Sequence, residues 1–103
     1  MSLDLARPRL DELAKQHEEL ERSMADPDVI ADRERYVQIS KAWRDLADVV
    51  GTYREYVRAE EQLAQTEELL SDPDMRQLAE AEVEDLRARM EEIEGRLRVL
   101  LLP

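Results

Sequence analysis

Residues 33–70 read RERYVQISKAWRDLADVVGTYREYVRAEEQLAQTEELL, and no proline interrupts them. Within this stretch Tyr36, Ile39, Trp43, Leu46, Val50, Tyr53 and Val57 follow one another in alternating steps of three and four residues. That spacing gathers all seven on one stripe of an α-helix, the seam of a coiled coil. Period-two alternation is sustained nowhere in the chain, which excludes strands. Asp32 stands where an N-cap belongs, so the spacing predicts one helix from Arg33 to about Leu70. At ~1.5 Å per residue it would be about 57 Å long, far more than a small domain needs for one helix partner.

Working outward, the same periodicity appears on both sides. Leu10, Leu13, His17, Leu20 and Met24 step by 3, 4, 3 and 4, and Pro8 suits a first helical turn, so a first helix is expected from Pro8 to about Ala25. Ala79, Val83, Leu86, Met90, Ile93, Leu97 and Leu100 step by 4 and 3 in turn. They predict a third helix that follows Asp72-Pro73-Asp74 and ends near Leu100, with Asp72 as cap and Pro73 in the first helical position. Short connections make neighbouring helices antiparallel.

The expected fold is therefore all-α, a single helical domain over residues 1–103. Helices two and three form an antiparallel, coiled-coil-like arm, and the shorter first helix packs on its base. Lengths place the three-way overlap at residues 43–50, where Ala42, Ala47 and Val49 widen the apolar face. Beyond Gly51 the flanking positions become Arg54, Glu55, Glu60 and Glu61, as suits a helix with one partner. Gly51 is a candidate bend between base and arm. On the third helix, Asp85 to Arg89, Glu92 to Arg96 and Glu94 to Arg98 are spaced for i,i+4 pairs worth only ~0.2–0.5 kcal/mol each.

Composition agrees with long helices. Ala, Glu, Lys, Leu and Arg make up 55% of the 103 residues, although the net charge of −11 and mean hydropathy of −0.65 approach the range of disordered chains. With Leu, Ile and Val at 25 residues, the chain has enough apolar side chains for the three seams. There is no Cys, hence no disulfide framework and no thiolate. No apolar run approaches the roughly 20 residues that span a bilayer, so no membrane partner is expected and the cytoplasm is the expected compartment.

The residues offer little chemistry. His17 falls on the first seam, lacks the H-E-x-x-H spacing of a zinc helix, and reads as a packed histidine. Asp26-Pro27-Asp28 and Asp72-Pro73-Asp74 resemble the opening of a calcium loop. However, Ile30 and Arg76 occupy the next ligand position, and Val37 and Val83 stand where the bidentate Glu belongs. Helix capping explains both better. No Gly-rich phosphate cradle is present, so no cofactor, metal or catalytic residue is expected and the chain does not read as an enzyme.

The order of the segments carries further. Leu69-Leu70-Ser71-Asp72-Pro73-Asp74-Met75-Arg76-Gln77-Leu78-Ala79 is followed by a charged helix that closes on Leu97-Arg98-Val99-Leu100-Leu101-Leu102-Pro103. With His17-Glu18-Glu19-Leu20, residues 26–35 and residues 49–56, this resembles the N-terminal domain of bacterial class I peptide chain release factors, of the factor-one type that reads UAA and UAG. The resemblance covers nearly the whole chain from Leu10 onward. It implies a module of translation termination that contacts the ribosome at the stalk base of the large subunit, near the GTPase-associated centre, and that is placed to meet the GTPase that recycles the factor. The family's codon-reading tripeptide and its Gly-Gly-Gln motif are not in this sequence. The chain accordingly reads as an excised N-terminal domain, with Met1-Ser2-Leu3 as added residues. The competing reading is a stand-alone acidic helical adaptor, or a coiled-coil protein that self-associates through the arm.

Charge suggests where a partner would sit. Residues 26–32 carry −3, residues 51–71 carry −3 and residues 72–100 carry −4, whereas residues 33–50 carry +1. Arg33, Arg35, Lys41 and Arg44 form this locally basic region and are the expected contact for rRNA or an acidic partner. Salt bridges from these four to acids of the first helix are the bland alternative.

Overall fold

The computed structural model describes residues 3–103. Its helices are α1 (Arg7–Met24), α2 (Pro27–Ala31), α3 (Arg33–Glu68) and α4 (Arg76–Leu100), with a 3-10 turn at Leu69–Ser71 between the last two. The described residues contain no strand. The long second helix of the sequence reading is α3, with 36 residues, and the third is α4. The chain forms two compact units, one ending at Gly51 and the other running from Thr52 to Pro103, and α3 continues through their junction.

In the first unit, α1 starts one residue before Pro8 and ends at Met24, with the Ala25 amide donating to the Arg22 carbonyl and the Asp26 amide to the Ser23 carbonyl, each at 3.1 Å. Pro27–Ala31, between the first two predicted helices, form the short helix α2. Asp26 is responsible: its carboxylate accepts from the Asp28 amide at 2.9 Å, its carbonyl accepts from Ile30 at 3.0 Å, and Pro27 occupies the first helical position. Asp32 then caps α3 as expected, accepting from the Arg35 amide at 3.2 Å. Replacing Asp26 with Ala should lower stability by about 0.5–2 kcal/mol, read from a denaturant midpoint, because the Asp28 amide loses its acceptor.

Leu10, Leu13 and His17 of α1, Val29 of α2 and Val49 and Val50 of α3 are buried in this unit. Leu3 is buried as well, at 4% exposure. Met1 and Ser2, read as added residues with it, lie outside the described residues. His17 stacks on Trp43 with ring centroids 5.2 Å apart and an interplanar angle of 18°, which fastens the first seam to α3.

In the second unit, α3 and α4 run antiparallel, with Glu55 and Tyr56 beside Arg96 and Glu94. The buried stripe of α3 departs here from the predicted seam. Val57 is only half-buried, while Tyr56, Ala59 and Thr66 are buried, so the stripe moves by one residue after Tyr53. A seam drawn through the large aliphatic residues misses it because two of its members are small or polar. On α4 the stripe follows Ala79, Val83, Leu86, Ile93 and Leu97, all buried, but Leu100 is 41% exposed. Burial ends one layer early, where α4 enters its closing turn at Leu101.

Two local expectations are corrected. α4 begins at Arg76 and not at Pro73, because residues 72–75 form a turn in which the Asp72 carboxylate accepts from Asp74 at 2.9 Å and its carbonyl from Met75 and Arg76. Asp72 still satisfies the orphan amides, one turn earlier than a helix cap would. Arg96 reaches across to Glu55 at 3.1 Å and does not pair along α4 with Glu92. Tyr56 likewise donates across the pair to Glu94 at 3.0 Å. These contacts set the register of α3 against α4, and buried apolar surface supplies most of the stability.

Candidate functional site

The candidate contact residues lie on the first three turns of α3, whose start is set by the Asp32 cap. Each residue of an α-helix advances by about 100° around the axis, so Arg33, Lys41 and Arg44 fall within an arc of about 80°. Arg35 sits about 200° from Arg33 and belongs to another face. All four are exposed. The structure therefore brings three of the predicted contact residues together and separates the fourth.

Among the described residues, no side-chain ion pair or hydrogen bond engages Arg33, Arg35, Lys41 or Arg44. The salt bridges to acids of the first helix expected as the bland alternative are not formed. The buried side of this half of α3, marked by Trp43 and Val50, points away from the three clustered cations. Val37 lies between Arg33 and Lys41 at steps of four residues and is 54% exposed. Sequence reasoning missed Val37 as a surface residue, although its position four residues from each cation was the available signal.

The other chemically capable residue is His17. It is 6% exposed, and neither of its ring nitrogens, nor the Trp43 indole nitrogen, finds a hydrogen-bond partner among the described residues. No metal-ligand cluster accompanies it: no group of three or more His, Cys, Asp or Glu is disposed to hold a metal among the described residues. Its structural role is packing against Trp43. No helix among the described residues is long and apolar enough to cross a membrane.

The described residues thus combine an antiparallel α3–α4 pair with a set of exposed cations on α3 in an otherwise acidic chain. Residues 13–103 match the PCRF domain, and the chain belongs to that family. It is 43% identical over 97 residues to peptide chain release factor 1 of Solidesulfovibrio magneticus, and 41% identical over 98 residues to that of Carboxydothermus hydrogenoformans. Peptide chain release factor 1 of Thermus thermophilus is 41% identical over 95 residues. Each match covers 92% of this chain and 27% of the relative, so the chain spans about a quarter of the length of these relatives. No solved structure matches it. The resemblance to factor-one release factors drawn from the Asp72-Pro73-Asp74 and Leu-Leu-Leu-Pro blocks thus holds over nearly the whole chain.

Proposed function

We propose that this chain is the N-terminal, ribosome-contacting domain of a release factor that terminates translation at UAA and UAG in the cytoplasm. The observation that carries the reading is the PCRF match across residues 13–103 together with relatives named peptide chain release factor 1. In this reading the domain performs no hydrolysis. It holds the factor against the large subunit at the stalk base, near the GTPase-associated centre, where the recycling GTPase also acts. Its contact is the cationic region of α3, with Lys41 and Arg44 foremost, because these side chains are exposed and spend no charge on intramolecular pairs. Phosphates of rRNA and carboxylates of a ribosomal protein are the two chemistries such a face attracts.

Grafting this chain into the Solidesulfovibrio factor, in place of the 97-residue segment it matches, gives the test. The chimera should release peptide at UAA and UAG and not at UGA. Reversing charge with Lys41→Glu and Arg44→Glu together should slow release and weaken ribosome binding about tenfold, the equivalent of ~1.4 kcal/mol, with an unchanged circular dichroism spectrum. Ribosome affinity that does not move in the folded double variant takes the contact away from this face. Failure of the chimera itself to respond to UAA or UAG refutes the termination reading.

A further inference from the structure

We propose that the face of α3 formed by Arg33, Val37, Lys41 and Arg44 docks an acidic, amphipathic protein helix carrying its own apolar anchor. This rests on the ribosomal reading above and narrows its partner from any anionic surface to a protein.

The state of the cations is the first support. This chain has 26 carboxylates for 15 basic residues, yet Arg33, Lys41 and Arg44 pair with none of them among the described residues. Each cation keeps its full capacity to meet an external anion. Carboxylates on a partner helix at i and i+4, or i and i+3, match their spacing.

Val37 then discriminates between kinds of anion. It sits in the middle of the cationic arc and is 54% exposed. A phosphate backbone offers nothing to an isopropyl group, whereas a Leu or Met on a partner helix would remove it from water. Three anchoring cations around one apolar centre reproduce the layout of a small protein contact, with charges at the rim and an apolar middle.

Extent and surroundings argue the same way. From Arg33 to Arg44 the face is about 16 Å long, about three helical turns. Asp48, four residues past Arg44, closes it, and Glu34 and Asp45 flank it. An acidic margin repels a polyanion that must run past the site, and three cations would neutralise only about three phosphates, too few for strong nucleic-acid binding at cellular salt. Tyr36 and Trp43 are half-buried toward the other side of α3, so this face has no aromatic platform for bases. A short acidic helix fits within the margin.

Nuclear magnetic resonance on the ¹⁵N-labelled chain tests this with three probes of equal formal charge. They are an Asp/Glu-rich helical peptide with Leu at two positions four residues apart, the same peptide with both Leu replaced by Ser, and an RNA hairpin. The Leu peptide should shift the amides of residues 33–44, bind at least tenfold more tightly than the Ser peptide, and lose about tenfold in affinity on Val37→Ser. The double variant Lys41→Glu with Arg44→Glu should abolish the shifts while the circular dichroism spectrum stays unchanged. Equal affinity for the Leu and Ser peptides, indifference to Val37→Ser, no shift at residues 33–44, or tighter binding of the hairpin there overturns the proposal. Preference for the hairpin leaves the cationic ribosome contact standing and removes only the protein partner. Ribosome affinity unchanged by charge reversal in the chimera removes the broader reading instead.

Discussion

Replacing Ile93 with Ala should lower the unfolding free energy by about 2–5 kcal/mol, the largest loss expected from removing a few atoms in this chain. Ile93 is fully buried at 0% exposure, in the C-terminal half of α4. The substitution removes three carbon atoms and leaves a cavity that neighbouring backbone, held in long helices, closes only in part. A domain of this size is stable by about 5–15 kcal/mol, so one side chain accounts for a large fraction of the total. Each kcal/mol moves the melting temperature by about 4–8 °C, and a drop of at least 8 °C is therefore expected in a thermal circular dichroism scan. Val99→Ala is the control: it is an apolar truncation on the same helix at a side chain 67% exposed, and should stay within about 0.5 kcal/mol of the parent. A loss at Ile93 no greater than at Val99 would show that this layer is not close-packed.

Gly51 gives two substitutions with opposite signs. Its backbone is helical with no positive φ, it is exposed, and a Cβ added there meets no heavy atom within 4 Å. Packing does not require a glycine at this point. Gly51→Ala should raise stability by about 0.5–1 kcal/mol by restricting the unfolded chain. Gly51→Pro should lower it by about 3 kcal/mol or more, since proline removes the amide from the helix ladder and its ring collides with the preceding turn. Urea titrations of both variants check the pair. A stabilised proline variant would mean that α3 is not a continuous helix at residue 51, and a strongly destabilised alanine variant would mean that something packs against that position.

The two substitutions probe different kinds of knowledge about this chain. Gly51 can be assessed from sequence, because a glycine inside a helical pattern carries its backbone cost wherever the helix goes. Ile93 also lies on a predicted seam, but so does Leu100, and only the first is buried. Periodicity assigns both to the same stripe and says nothing about where along that stripe the covering surface stops.

Elsewhere the departures from expectation have two causes, contacts between helices and local capping. The stripe on α3 moves from Val57 to Tyr56 and continues through Ala59 and Thr66, because burial is decided by what lies opposite and not by how apolar a side chain is. Arg96 had an acid four residues before it on its own helix and yet bonds to Glu55 on the other, a choice open only once two helices are adjacent. Residues 27–31 become a helix of five residues because the Asp26 side chain and a proline can start one without a periodic seam.

The same division applies to the candidate contact. Arg33, Arg35, Lys41 and Arg44 were legible as the locally basic stretch of an acidic chain, since charge can be counted residue by residue. Helical geometry then separates Arg35 from the other three and sets Val37 among them. That these cations find no partner among the described residues could not be read from a sequence so rich in acids, because pairing depends on distances between helices.

By itself, the sequence determined that this protein is helical, where its long helices run to within a few residues, and which chemistry it lacks. Spacing and capping are local properties, and they act before the chain has folded. Only the tertiary structure decided which residues of each stripe are covered, which charges are paired, and which face of α3 is left with three free cations around an exposed valine. Those outcomes depend on contacts between residues distant in sequence.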